Sequence, residues 1–401
     1  MSVGLVRNSA TTIDGLGPVV EALAAAAGTH DADGSFPHEA FEELWRHGVL
    51  GLVAPTQLGG GGAGLETSVR VLVELGRGDP SVALVLALHL LQHAHMNLPD
   101  GPWPRPLRER LQRSLQDGPA IVNALRVEPE LGTPARGGLP ATVAERLPDG
   151  SGYRLRGRKI YSTGAPGLRW LVVYARTDDP EPLVGQFVVD AADRTGWRIE
   201  PTWNHLGMRA TASHDVVLDG AFVAADSVVG LTTPDAVPAP DPVLAAWNPL
   251  LIAATYHGVA VAARDWLTGY LHHRVPSGLG RPLATLPRFQ EAVGRIEAGV
   301  RTAGRLLSDT ARRVDEGGDG LAEALADAGV VKLTVTNSAI DVVSNAVALV
   351  GNPGLSRGND LERHLRNVLC SRIHTPQDDM ILAGAGRAAL ASAANATGAA
   401  R

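Results

Sequence analysis

The chain has 401 residues, 45% of them hydrophobic and 19% charged, with a formal net charge of −6. That length suits two or three domains, and the charge balance excludes a basic nucleic-acid binder or a polybasic membrane-surface protein. The single cysteine, Cys370, can form neither an internal disulfide nor a cysteine-rich zinc site.

Residues 1–15 carry no apolar core of a secretory signal, so a cytoplasmic location is the default expectation. The longest apolar runs are broken by His, Gly or charge before about 18 residues, which argues against a membrane span. Apolar residues then recur at helical spacing over 16–27, 39–47, 65–76 and 80–96. Asp79-Pro80 places a capping residue before a first-turn proline. The run Gly59 to Gly62 resembles a phosphate loop, but no Lys-Ser/Thr follows, so a turn with close backbone packing is expected.

From about residue 120 the period changes to alternation, over 140–146, 153–160, 169–175, 184–189 and 215–223, with Gly, Pro and Asp turns between. This predicts a mainly antiparallel β-domain. A Pro/Ala/Asp linker at 233–242 follows. Long helical patterns occupy 244–273, 286–314, 321–350 and 360–369, with a last helix over 377–394 and an Ala-rich tail at 388–400 that should fray. The expected domains are 1–118 (α-helical), 119–232 (β) and 241–401 (α-helical bundle), an α+β chain whose ligands should bind where domains meet.

Five segments in this order resemble the acyl-CoA dehydrogenase superfamily. Residues 50–64 are similar to its Gly-x-Pro-x-x-x-Gly-Gly turn, and 157–165 (GRKIYSTGA) to its Gly-x-Lys-x-x-x-Thr strand. Residues 203–219 resemble its LGMR-x-T-x-S segment, 270–282 with Gln290 its Tyr-x-x-x-Arg region, and 348–355 its glycine loop. The resemblance implies an N-terminal helical domain, a central antiparallel β-domain and a C-terminal four-helix bundle around a flavin, FAD or FMN. It implies that Thr163 hydrogen-bonds near flavin N5, that Tyr161 is the aromatic residue beside it, and that backbone around Asn123 and Leu125 edges the pyrimidine. Trp170 and Trp203 are cavity walls or β-domain core. Arg274, Gln290, Gly351 and Gly354 would meet the adenosine end, and a planar guanidinium suits pyrophosphate. The family's Phe after that arginine is absent and the loop reads Gly-Asn-Pro-Gly, which keeps FMN open beside FAD.

The family's dehydrogenases need a glutamate to take the α-proton. Its two known positions correspond here to 373–378 (IHTPQD) and to Asn248, neither of which supplies a Glu. Asp378, Asp379 and Glu128 are the fallback carboxylates. The HTPQDD stretch instead resembles the two-component flavin monooxygenases of the same fold, which receive reduced flavin from a separate reductase and form a C4a-hydroperoxide. By that resemblance His374 is the first catalytic candidate, on the argument that imidazole titrates near working pH. His89 is the second and Ser162 a hydrogen-bond donor. No metal site is expected; His89 and His93, spaced i, i+4, lack a supporting carboxylate. His95, His272 and His273 carry no argument. The expected function is therefore monooxygenation of a small organic, sulfur- or nitrogen-containing substrate by a homodimer or homotetramer, with no nucleic-acid or membrane partner. The alternatives are acyl-CoA or acyl-carrier-protein desaturation with an unusual base, or a non-catalytic paralogue.

Overall fold

Proline, glycine and the change of hydrophobic period set the element boundaries. The structure is a computed structural model; it describes residues 15–131 and 138–398, so the signal-peptide expectation on 1–14 and the last tail residues lie outside the described residues. The chain groups into two units, Met1–Gly64 with Ser81–Leu244, and Leu65–Pro80 with Ala245–Arg401. Composition alone puts 65–80 with the N-terminal helices; in the structure that helix groups with the C-terminal ones.

In the first unit, α1 (Gly17–Asp33) ends at Gly34 in the left-handed conformation, φ 74°, and α2 (His38–Arg46) follows. The glycine run folds back on 51–54: Gly61 N–H donates to Gly51 O at 2.9 Å, and a Cβ on Gly60 would sit 2.1 Å from Ala54 O. Close backbone approach is thus the reason for the glycines, as expected. In the second unit, α3 (Leu65–Gly78) has its first N–H groups held by a carboxylate, with Leu65 N and Glu66 N donating to Asp315 at 2.9 and 2.8 Å. Such a contact satisfies free donors and complements the helix dipole.

The first unit continues with α4 (Pro80–Met96) and α5 (Arg105–Arg113), then, among the described residues, eight strands. These are β1 (Ile121–Leu125), β2 (Val143–Arg146), β3 (Gly152–Lys159), β4 (Leu168–Thr177), β5 (Val184–Asp190), β6 (Trp197–Glu200), β7 (Asp215–Ala224) and β8 (Val228–Thr232). The sheet order is β6-β7-β3-β2-β4-β5-β8, with β1 on β4. Most pairs are antiparallel. The exceptions are β1–β4 and β2–β4, which are parallel because β4 is reached only after the chain has crossed through β3. β1, β6, β8 and α5 are four to nine residues long and escape periodicity because short windows hold too few repeats.

The second unit adds α6 (Pro242–His273), α7 (Pro287–Glu316), α8 (Leu321–Val350), α9 (Asp360–Leu369) and α10 (Asp378–Gly398). α10 is helical through Gly398 and so takes in most of the Ala-rich stretch; alanine has the highest helix propensity. α3 crosses α6 at paired glycines, where a Cβ on Gly76 would lie 2.5 Å from Thr255 O and one on Gly258 2.5 Å from Val73 O. Contrary to the reading of broken apolar runs, α6 and residues 318–350 are long and apolar enough to cross a membrane by length and composition. For α6, 78% of that window is buried inside the protein, which marks a core helix.

Candidate functional site

Three non-glycine residues have positive φ among the described residues: Tyr161 (55°), Met208 (54°) and Ala212 (42°). All three lie at one junction of the first unit, where the turn after β3 meets the loop before β7. Ser162 N–H donates to His214 O at 3.2 Å and Gly164 N–H to Thr211 O at 2.8 Å. Left-handed backbone costs a side chain about 1–2 kcal/mol per residue, so it persists only where the surroundings impose it and it concentrates at functional sites. Arg209, the arginine of LGMR, anchors this loop by donating to Asp31 O (2.5 Å) and Ala32 O (3.3 Å) at the end of α1.

The strained turn displays Tyr161, 55% exposed, next to a stacked Trp203–His205 pair with ring centres 3.6 Å apart; the Tyr161 ring stands nearly perpendicular to both. Trp203 is therefore part of an accessible aromatic wall, whereas Trp170 is core, 5% exposed, with Nε1 donating to Ser114 Oγ. Thr163 Oγ1 accepts from Ser213 Oγ at 3.0 Å, which leaves the Thr163 hydroxyl its own hydrogen to donate. An exposed aromatic wall beside a hydroxyl donor fits a flat heteroaromatic ring with a polar edge, as a flavin has.

The other candidates of this unit fall differently. Asn123 is buried; its amide donates to Thr163 O at 2.9 Å and its Oδ1 accepts from Ala124 N, so it braces the turn. Leu125 is core, 1% exposed, and its strand pairs with β4. Ser162 Oγ is buried without a partner among the described residues, not presented on the accessible wall. His89 is fully buried, with Nε2 donating to Leu50 O (2.8 Å) and Nδ1 accepting from Val122 N–H (3.1 Å). Both nitrogens are used by backbone, and burial pushes the imidazole down to about 4. His89 is thereby a packing residue, corrected from the catalytic role expected of it, because a ring with no free nitrogen exchanges no proton with a substrate and holds no metal. Glu128 is likewise spent. Its carboxylate accepts from Lys159 Nζ (2.6 Å), Thr142 Oγ1 (2.6 Å), Thr142 N (3.1 Å) and Ala141 N (2.7 Å). Burial pushes Glu128 up, but these donors outweigh it and hold the carboxyl below its usual range. It is a clamp, not a spare base.

In the second unit, His374 sits in a built polar cluster. Its Nε2 lies 2.7 Å from Tyr256 Oη. The three carbonyls that follow its ring position are all captured: Lys332 Nζ donates to His374 O (3.2 Å) and Pro376 O (2.9 Å), and Asn248 Nδ2 donates to Thr375 O (2.7 Å). Asn248, at one position of the absent glutamate, thus secures the segment that replaces the other; a carboxylate there could not donate. Burial first, then the Lys332 ammonium, pushes His374 down to about 4. That corrects the expectation of an imidazole titrating near neutral pH: at pH 7 the ring is neutral. Asp378 lies 3.6 Å from Lys332 and accepts from Asn337 Nδ2 at 3.3 Å, and Asp379 is exposed in the first turn of α10, where acidic residues favour the helix dipole.

Arg274 opens the loop after α6, where its O accepts from Leu283 N–H, and Gln290, in the first turn of α7, donates from Nε2 to Ala284 O of that loop. The Arg274 side chain is exposed. Gly351 closes α8 at φ 75°, a conformation that favours glycine, and Gly354 packs on Val347. A cleft of about 600 Å³ between α7 and α8, lined by Arg288, Arg295, Ser338 and Asp341 among others, shares no residue with either cluster. Tyr256, Lys332 and His205 carry no sequence signal; Ser213 lies inside the LGMR segment and could have been named from it.

Family models described as the N-terminal, middle and C-terminal domains of acyl-CoA dehydrogenase match residues 19–98, 127–221 and 250–378. A Bacillus subtilis protein named as an acyl-CoA dehydrogenase is 30% identical over 367 residues, 92% of this chain and 93% of that protein. The L-evernosamine nitrososynthase of a Micromonospora strain is 31% identical, covering 89% of this chain and 84% of its own length. The solved structure of KijD3 with FMN and a dTDP-linked amino-keto sugar superposes with a TM-score of 0.81, at 26% identity, over 97% of this chain and 96% of that one.

Proposed function

The chain belongs to the acyl-CoA dehydrogenase family, and from that premise we propose that it is a flavin-dependent monooxygenase that oxygenates nitrogen or sulfur in a small organic substrate. The observation that carries this reading is the bond from Asn248 to Thr375 O, which builds an amide and a histidine segment into both positions where a dehydrogenase keeps its carboxylate. The fallback carboxylates support it too, since Glu128 and Asp378 are held by lysines.

The cofactor is FMN or FAD, delivered reduced by a separate reductase; when bound and reduced it supplies the electrons that activate O2. The chain's own part is to seat the ring against Tyr161 and to donate from the Thr163 hydroxyl. The nitrososynthase relative supports nitrogen as the oxidised atom, and a nucleotide-linked amino sugar is the first substrate to try, because KijD3 was solved with one. The reading includes a cytoplasmic homodimer or homotetramer, whose mass light scattering gives.

The test uses purified protein loaded with FMN or FAD. Reduced flavin, 18O-labelled O2 and a panel of amines and sulfides should yield an 18O-labelled product. The oxidised protein mixed anaerobically with acyl-CoAs should stay yellow. Bleaching by an acyl-CoA would overturn the proposal in favour of desaturation, with exposed Asp379 the first base to mutate.

A further inference from the structure

Tyr256 is fully buried, and His374 Nε2 is the hydrogen-bond partner of its hydroxyl among the described residues. A phenol has one hydrogen to donate. If His374 carried its proton on Nε2 and donated it to the phenol oxygen, the phenol hydrogen would be left buried with no acceptor. Leaving a buried donor unsatisfied is costly, whereas the reverse arrangement satisfies both groups. Burial also keeps Tyr256 protonated, its phenol held well above the usual range. His374 Nδ1 has no hydrogen-bond partner among the described residues and, unlike the inward nitrogen, is not sealed in; the residue is half-buried. Tyr256 from α6 bonds this ring, and Lys332 from α8 holds the backbone carbonyl of the same residue. The Lys332 ammonium opposes a positive charge on the imidazole.

We propose that Tyr256 is a positioning residue that fixes His374 in the Nδ1–H tautomer, so that the ring presents a hydrogen-bond donor outward. In that state His374 does not abstract a proton from a substrate, because the accessible nitrogen already bears one. Nor does it release that proton, because Nε2 would have to take the Tyr256 hydrogen and leave a buried phenolate. Its role is to donate a hydrogen bond to a negatively charged or developing oxygen. The functional part of this inference rests on the monooxygenase reading above; the tautomer does not.

The experiment is a long-range 1H–15N spectrum of the flavin-loaded protein with 15N-labelled histidine at neutral pH, with the His374 signals assigned by their loss in His374→Gln. The expected result is protonated Nδ1 and unprotonated Nε2, in roughly five-fold or greater excess over the other form. Tyr256→Phe, checked for an unchanged far-UV spectrum, should move the population toward Nε2–H. A wild-type ring with Nε2–H overturns the proposal, as does an unchanged tautomer in a folded Tyr256→Phe protein. If Tyr256→Phe fails to fold, the wild-type spectrum alone decides. Because the readout is a nitrogen shift, its failure is distinct from failure to oxygenate any substrate.

Discussion

Glu128→Gln separates a clamp from a base. The parent carboxylate takes four hydrogen bonds and lies 2.6 Å from Lys159, both groups being almost fully buried. Removing one partner of a buried pair costs about 3–5 kcal/mol, because the other charge is stranded. Lys159 can limit that cost by losing its proton. Burial already pushes its ammonium down to about 8, against the pull of Glu128. Deprotonating a lysine at pH 7 from an unfolded value near 10.4 costs roughly 4–5 kcal/mol, which caps the loss. Above its folded pKa the neutral folded lysine competes with a protonated unfolded one, so stability rises with pH there. The variant should then regain about 1.4 kcal/mol for each pH unit above 7, while the parent does so only above about 8. Urea unfolding at pH 7, 8 and 9 reads both effects, and turnover of the folded variant should persist. Unchanged stability together with abolished turnover would refute the clamp and make Glu128 the base.

Asn248→Asp should lower the unfolding free energy by about 1–3 kcal/mol, since a carboxylate cannot donate to Thr375 O; an unchanged denaturation curve would dissolve the proposed lock. Gly258→Ala should cost about 1–3 kcal/mol by driving a methyl against Val73 O, and a thermal melt within error of the parent would disprove the close helix crossing. Burial depresses His89 and His257 to about 4, His364 to about 3 and His93 well below its usual value. The unfolded chain therefore binds protons first, so stability is full above about 6.5 and falls toward pH 4, on the order of 1 kcal/mol per histidine and pH unit. Equal urea midpoints at pH 7 and 5 would contradict this.

Elements long enough to repeat their hydrophobic period are legible in the residues alone. α4 was legible residue for residue because Asp79-Pro80 marks its start and its apolar spacing spans seventeen residues. β3 to β5 and β7 were legible because alternation survives over seven to ten positions. The ordered motifs sufficed for the family, and the non-acidic residues at 248 and 373–376 were visible directly. Chemistry was less legible, since a side chain's role depends on what its atoms meet. His89 and His374 look alike in sequence. Tertiary structure spends both nitrogens of His89 on Leu50 and Val122, but only one of His374's, on a tyrosine 118 positions away. Glu128 reads as a free acid until the fold brings Lys159 to it across 31 residues. No local pattern encodes such pairings; folding creates them by excluding water, which leaves a buried polar atom with the partners that the packing provides.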